Sequence, residues 1–182
     1  NIPGIVAWLP IASPEFAPLL EKYINIKEVV GIRHVVQDED PGFLEGNEFN
    51  KGIELIGNTK LIYEILIFEH QLEEAIDFVK RHPNVSFVLD HIAKPRIGDD
   101  TMEPWTSNLK KLASYDNLLG CKMSGLVTEM NEECLKQPKD EILKPYMDTV
   151  LEAFGPKRVM FGSDWPVLTP RITYLDWKNM VE

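Results

Sequence analysis

The chain has 182 residues, 44% hydrophobic and 26% charged, the make-up of an ordinary globular domain with enough apolar material for a sizeable core. A formal net charge of −10 repels a phosphate backbone, so nucleic acid is not an expected partner. No apolar run nears the roughly 20 residues that span a bilayer, and the first residues lack a basic n-region or cleavage site, so a soluble, cytoplasmic protein with no membrane partner is expected.

The chain opens on an apolar run, Gly4 to Ile11, followed by Ser13 as an expected N-cap with Pro14 at the first helical position, then Phe16, Leu19, Leu20 and Tyr23 on one helix face. A second apolar run covers Glu28 to Val36, and a helix carrying Phe49, Ile53 and Ile56 stops at Gly57-Asn58. The third run, Leu61 to Phe68, leads into Leu72, Ala75, Ile76 and Val79 at helical spacing, with Lys80, Arg81 and His82 suiting the negative end of the helix dipole and Pro83 as the stop. Val85 to His91 is the fourth strand, and Leu109 with Leu112 marks the next helix. Leu118 to Ser124 is followed by a helix with Tyr146, Val150, Leu151 and Phe154, closed by Gly155-Pro156. Arg158 to Ser163 is the sixth strand, and a last helix runs toward Glu182.

These strands are continuous apolar runs rather than alternating ones, as expected for parallel strands covered on both faces. No Gly-x-Gly-x-x-Gly or Walker loop follows any strand, and polar residues gather at strand ends, which favours a (β/α)8 barrel of the TIM type over a doubly wound sheet. Six βα units can be read where a closed barrel needs eight, so the expectation is one barrel domain over 1–182, incomplete at both ends. Cys121 and Cys134 form no Cys-x-x-Cys pair and are expected to be free thiols.

Three strand-end clusters could carry chemistry. In Arg158-Val-Met-Phe-Gly-Ser163-Asp164-Trp165-Pro166, an apolar strand ends in a carboxylate that could take a proton from water or bind a metal; the alternative is a cap for the following turn. In Ser86-Phe-Val-Leu-Asp90-His91-Ile-Ala-Lys94-Pro95, alternation forbids Asp90 and His91 from both facing the axis unless the strand breaks there. His91 is the better candidate for chemistry, with Asp90 in support, although a lone strand-end histidine is more often structural. In Gly31-Ile-Arg33-His34 and Cys121-Lys122-Met-Ser124, Lys122 and Ser124 share a face while Arg33 and His34 do not. Arg33 and Lys122 either contact substrate or pair with a carboxylate such as Glu64 or Glu69. His70 and His82 are expected to be structural, and the acidic loop 37–42 a solvated lid rather than a calcium site.

Taken in order, Gly31-Ile-Arg33-His34-Val-Val-Gln37, Leu89-Asp90-His91-Ile-Ala-Lys94-Pro95, Cys121-Lys122-Met-Ser124-Gly125-Leu126 and Arg158-Val-Met-Phe-Gly-Ser163-Asp164-Trp165-Pro166 resemble the amidohydrolase-related family of lactonases. Relatives open L-fucono- and L-rhamnono-lactones or pyrone dicarboxylate. The resemblance implies a distorted (β/α)8 barrel in which Asp164 and His91 are catalytic, Asp164 activating the hydrolytic water. It implies Arg33, His34, Lys122 and Trp165 as substrate contacts, and a lactone as the small-molecule partner. The family also carries a His-x-His pair on its first strand, which this sequence lacks, and the resemblance implies that the chain enters the barrel at the third strand. His91 and Asp164 are thus the expected ligands for a divalent metal such as zinc, which the reaction need not require, and association into homo-oligomers is compatible with all of this. The alternatives are a metal-dependent decarboxylase or C–C hydrolase of the same superfamily, or a noncatalytic barrel remnant that binds a ligand or partner.

Overall fold

A computed structural model of the chain describes residues 2–182. Asn1, the starting point of the expectation about where the chain enters the barrel, lies outside the described residues. Six parallel strands, β1 (Ile5–Trp8), β2 (Val29–Val35), β3 (Ile62–Leu66), β4 (Phe87–Leu89), β5 (Leu118–Met123) and β6 (Val159–Phe161), pair in chain order as one sheet. Among the described residues β1 and β6 are its two edges, so the sheet is an open arc of a barrel.

The connecting helices are α1 (Phe16–Tyr23), α2 (Asn47–Gly57), α3 (Leu72–Arg81), α4 (Trp105–Ala113) and α5 (Lys139–Phe154), with α6 (Tyr174–Val181) after the last strand. Each of the first five joins two parallel neighbours, which fixes the helices on the outer face. There Phe49 of α2, Phe78 of α3, Tyr63 of β3 and Phe87 of β4 pack edge-on and tilted with centroids 5.4 to 6.1 Å apart. All four are buried, each worth about 1.5–3 kcal/mol relative to exposure for an apolar ring of this size.

Most strands are shorter than their apolar runs, the first ending at Trp8 rather than Ile11 and the sixth at Phe161 rather than Ser163. The first helix begins at Phe16 rather than Pro14, because Ser13 instead accepts the Glu15 N–H in a preceding turn (3.2 Å). The fourth strand stops at Leu89 rather than His91, for reasons that also shape the site. The register jumps between Ile5/Val6 and between Phe87/Val88, where Val30 and Leu119 are the extra residues. The extra residues Val30 and Leu119 are both exposed, and beyond them Arg33 and Lys122 reach the carboxylates of the concave face.

Candidate active site at the C-terminal edge of the sheet

Arg33 and Glu64 lie side by side across the β2–β3 ladder. Arg33 Nη1 donates to Asp90 Oδ2 at 2.9 Å and lies 3.7 Å from Glu64 Oε2; Lys122 Nζ lies 2.7 Å from Asp90 Oδ1 and also pairs closely with Glu64 Oε1. Two cations thus interleave with two carboxylates on the concave face of the sheet. The sequence expectation of pairing with Glu64 holds for both cations, whereas Glu69 pairs with Arg96 at 2.8 Å. Burial and the adjacent Asp90 push the Glu64 carboxyl upward, against the pull of Lys122.

Alternation should have sent His91 to the outer face once Asp90 faced inward. Instead the strand breaks. His91, Ile92, Ala93 and Lys94 all adopt positive φ, between 46° and 58°, forming a left-handed turn without a glycine. Each such residue costs about 1–2 kcal/mol relative to right-handed backbone, so the surroundings must hold the turn in place. Trp105 Nε1 donates to the Ile92 carbonyl at 2.8 Å, Ile92 and Ala93 are fully buried, and the Lys94 ammonium sits 5.1 Å over the Phe68 ring and 3.9 Å from Glu129. The break is the one condition under which both residues could face inward, and Asp90 joins the ion-pair cluster while His91 approaches Asp164.

The turn delivers the His91 ring between Ser124 and Asp164. Its Nδ1 is hydrogen-bonded to Ser124 Oγ at 2.8 Å, and its Nε2 lies 3.7 Å from Asp164 Oδ1. The two side chains are only 16% and 12% exposed. Burial lowers the His91 pKa, more than Asp90 and Asp164 raise it, so the imidazole is neutral near pH 7. Asp164 itself has φ 54°, and its backbone carbonyl, not its carboxylate, accepts the Leu168 N–H that closes the next turn (3.0 Å). The capping alternative is thus met by backbone, leaving the carboxylate on His91. Behind Asp164 a cavity of about 10 Å³, lined by Gly125, Thr128, Leu168 and Trp177 among others, is about one water in size.

The remaining candidates divide. Arg33 and Lys122 are partly exposed on the concave face, and Trp165, next to Asp164, is largely exposed. His34 is not brought to this group. As the neighbour of inward-facing Arg33 it must face outward, where it stacks on Phe43 (4.9 Å, 11°) and Nε2 meets Glu39 Oε1 at 2.7 Å. That pair, with Glu74 accepting the Gly42 and Leu44 N–H groups, ties down the loop expected to be a solvated lid, most of whose residues are exposed. His82 pairs with Asn50 Oδ1 at 2.6 Å, and burial lowers its pKa, so it serves α3 as a neutral hydrogen-bonding group rather than as a dipole charge. His70, exposed, stacks on Phe68. Sequence reasoning missed Glu129, whose carboxyl is raised by burial and, more weakly, by Asp164, and missed the role of Trp105; no periodicity marks either.

For a divalent metal, His91 Nε2 and Asp164 are suited: they converge, and Ser124 occupies the other ring nitrogen as an outer partner does in such sites. Among the described residues no third His, Cys, Asp or Glu joins them to make a three-ligand group.

A parallel α/β arc with its polar side chains gathered at the C-terminal strand ends has the layout of (β/α) barrel proteins, whose chemistry sits at that edge. The chain belongs to the Amidohydrolase family, which it matches over residues 2–182. It is 34% identical to an L-fucono-1,5-lactonase of Burkholderia multivorans over 190 aligned positions, covering all of this chain and 64% of that protein. An L-rhamnono-gamma-lactonase of Scheffersomyces stipitis is 23% identical, with 76% of this chain and 46% of that protein covered. Among solved structures, an amidohydrolase from Burkholderia multivorans with bound Zn superposes with a TM-score of 0.86 at 31% identity, covering 98% of this chain and 64% of that one. A putative 2-pyrone-4,6-dicarboxylic acid hydrolase from Pseudomonas putida superposes at 0.77 with 20% identity, over 96% of this chain and 62% of that one, a likeness of fold alone. The chain spans 64% of the length of the Burkholderia multivorans lactonase.

Proposed function

We propose that the protein carrying this chain hydrolyses a small sugar-acid lactone, with Asp164 as the base that activates water and His91 as its electrophilic partner. The observation that carries this reading is the 3.7 Å approach of His91 Nε2 to Asp164 Oδ1 at the C-terminal edge of the sheet. That spacing is longer than a direct hydrogen bond, so a water and a carbonyl oxygen can be taken up against the pair. The lactonase relatives support the substrate class.

In the first step Asp164 takes a proton from water as its oxygen adds to the lactone carbonyl carbon. A neutral His91, donating a hydrogen bond from Nε2, then stabilises the oxyanion while keeping its own proton. Collapse of the tetrahedral species breaks the bond from carbonyl carbon to ring oxygen, and the proton held on Asp164 passes to that oxygen, giving the open hydroxy acid. A zinc ion held by His91 Nε2 and Asp164 would supply Lewis-acid polarisation of the same carbonyl. Arg33 and Lys122 offer substrate hydroxyls and the nascent carboxylate the donors not used on Glu64 and Asp90, and Trp165 offers an exposed ring for a sugar face. His34 enters this scheme as the anchor of the 37–46 loop. The place of work we infer is the cytoplasm, in carbohydrate breakdown; the two free, buried thiols, Cys121 and Cys134, suit a reducing compartment.

Lactone opening releases a proton at neutral pH, so the test is pH-indicator monitoring of the full-length protein against a panel of sugar-acid lactones, the L-fuconic and L-rhamnonic ones included. Turnover above the spontaneous rate is expected for at least one; hydrolysis of none would end the proposal.

A further inference from the structure

Ser124, His91 and Asp164 stand in line, with Ser124 Oγ on Nδ1 at 2.8 Å and the carboxylate 3.7 Å from Nε2. This order superficially matches a nucleophile–base–acid triad. Burial decides otherwise. Ser124 is 1% exposed, at the closed end of the line, while Asp164 and His91 form its open end, so no carbonyl carbon can reach the hydroxyl. A serine there can act only through the ring.

The surroundings are built to bring that hydroxyl to the ring. Gly162 leaves the Ser124 side chain its room: a Cβ at 162 would stand 2.8 Å from Ser124 Cβ and 3.0 Å from its Oγ. Gly125, at φ +75°, does the same for the ring, since a Cβ there would stand 3.1 Å from His91 Nδ1. Among the described residues the Ser124 hydroxyl has no hydrogen-bond partner besides His91. The imidazole hangs from a strained left-handed turn, so its orientation needs a second fixed point beyond the backbone.

We propose that Ser124 is a positioning residue for the hydrolytic reaction: its buried hydroxyl fixes the orientation of the His91 ring so that Nε2 faces Asp164, and the carboxylate then holds the ring proton on Nε2. A hydroxyl serves as donor or acceptor, and beside the Asp164 carboxylate the ring settles with its proton on Nε2 and receives the Ser124 O–H at Nδ1. The inference deepens the lactonase reading and rests on it for the reaction, but the ring state can be measured without any substrate.

The experiment is long-range ¹H–¹⁵N correlation of the His91 ring in the full-length protein after chelator treatment, so that no metal fixes the ring instead, paired with lactone kinetics. Wild type should show a single tautomer protonated at Nε2. Ser124→Ala should give averaged ¹⁵N shifts of two tautomers and a kcat lower by about 10- to 100-fold with KM changed much less, the usual cost of removing a ring-orienting partner. Gly162→Ala, which displaces the hydroxyl without removing it, should move the same two ring signals. Wild-type shifts in the Ser124→Ala protein, or an unchanged kcat beside altered shifts, would overturn the proposal. If wild type opens no lactone, the ring measurement still decides the Ser124 claim while the lactonase reading alone fails.

Discussion

Asp90 and His91 are neighbours in sequence that serve two different groups: Asp90 Oδ2 accepts from Arg33 at 2.9 Å while His91 Nδ1 meets Ser124 Oγ at 2.8 Å. In an extended strand they would face opposite sides, so the positive φ at His91 is what converts a two-residue strand end into two functional groups. The backbone energy stored in that turn is offset by the burial of Ile92 and Ala93 and by the Trp105 hydrogen bond.

The left-handed turn makes position 93 sensitive in an unusual direction. Ala93→Gly should change unfolding free energy by less than about 1 kcal/mol, because relief of the φ of 58° offsets the lost buried methyl and the greater freedom of the unfolded chain. Ala93→Val, β-branched in the same conformation and fully buried, should cost about 3 kcal/mol or more. Urea unfolding of both variants checks the contrast; equal costs would mean that the turn is not strained.

Asp90 bridges both cations, so its removal is the harshest change to the charge cluster. Asp90→Ala should lower stability by about 3 kcal/mol, at the lower end of the range for breaking a buried pair because Arg33 is partly exposed. Lys122→Met should cost less, since Arg33 still faces both carboxylates. Chemical denaturation of the two variants gives the order directly.

His82 provides a clean pH signature. Its folded pKa is depressed by burial, so between that value and the unfolded value near 6.5 the unfolded chain binds more protons, and stability falls as pH drops. His91, shifted in the same direction by burial, adds to the fall. Glu64, raised, has the opposite sign, losing its contribution as pH rises through its folded value. Comparing wild type with His82→Gln from pH 7.5 to 5 isolates the His82 part: the variant's stability should decline less steeply.

Much of this architecture was legible in the residues. Apolar runs such as Leu61 to Phe68, interrupted only by Glu64, announced parallel strands, and the 3.6-residue spacing of Leu72, Ala75, Ile76 and Val79 placed α3 to within a residue or two. Asp164 and His91 could be singled out because ionisable groups at the ends of apolar strands stand out. Their meeting was expected from the family resemblance and not from pattern, since it depends on four consecutive non-glycine residues taking a conformation that propensity disfavours. The bulges at Val30 and Leu119 were equally hidden, because inserting one apolar residue into an apolar run leaves no trace in pattern. His34 illustrates the converse: alternation already placed it opposite Arg33, and family likeness alone put it at the substrate.

Gly125 tests how closely the ring must be seated. Gly125→Ala combines positive φ with a Cβ 3.0 Å from His91 Cβ, so the ring must move. On the proposed lactonase reading, turnover should fall by roughly ten-fold or more, as expected when a supporting contact of the working imidazole is displaced. A kinetic assay with a parallel melting curve separates this from a loss of fold.

The most direct measurement is the turnover of Asp164→Asn in the full-length protein on whichever sugar-acid lactone the wild type opens. Loss of the base should lower kcat by about 10²- to 10⁴-fold while the unfolding midpoint stays near wild type, because the carboxylate makes no buried ion pair on which the fold relies. Turnover within a few-fold of wild type would show that water is activated elsewhere and that the pairing of Asp164 with His91 is not the reaction centre.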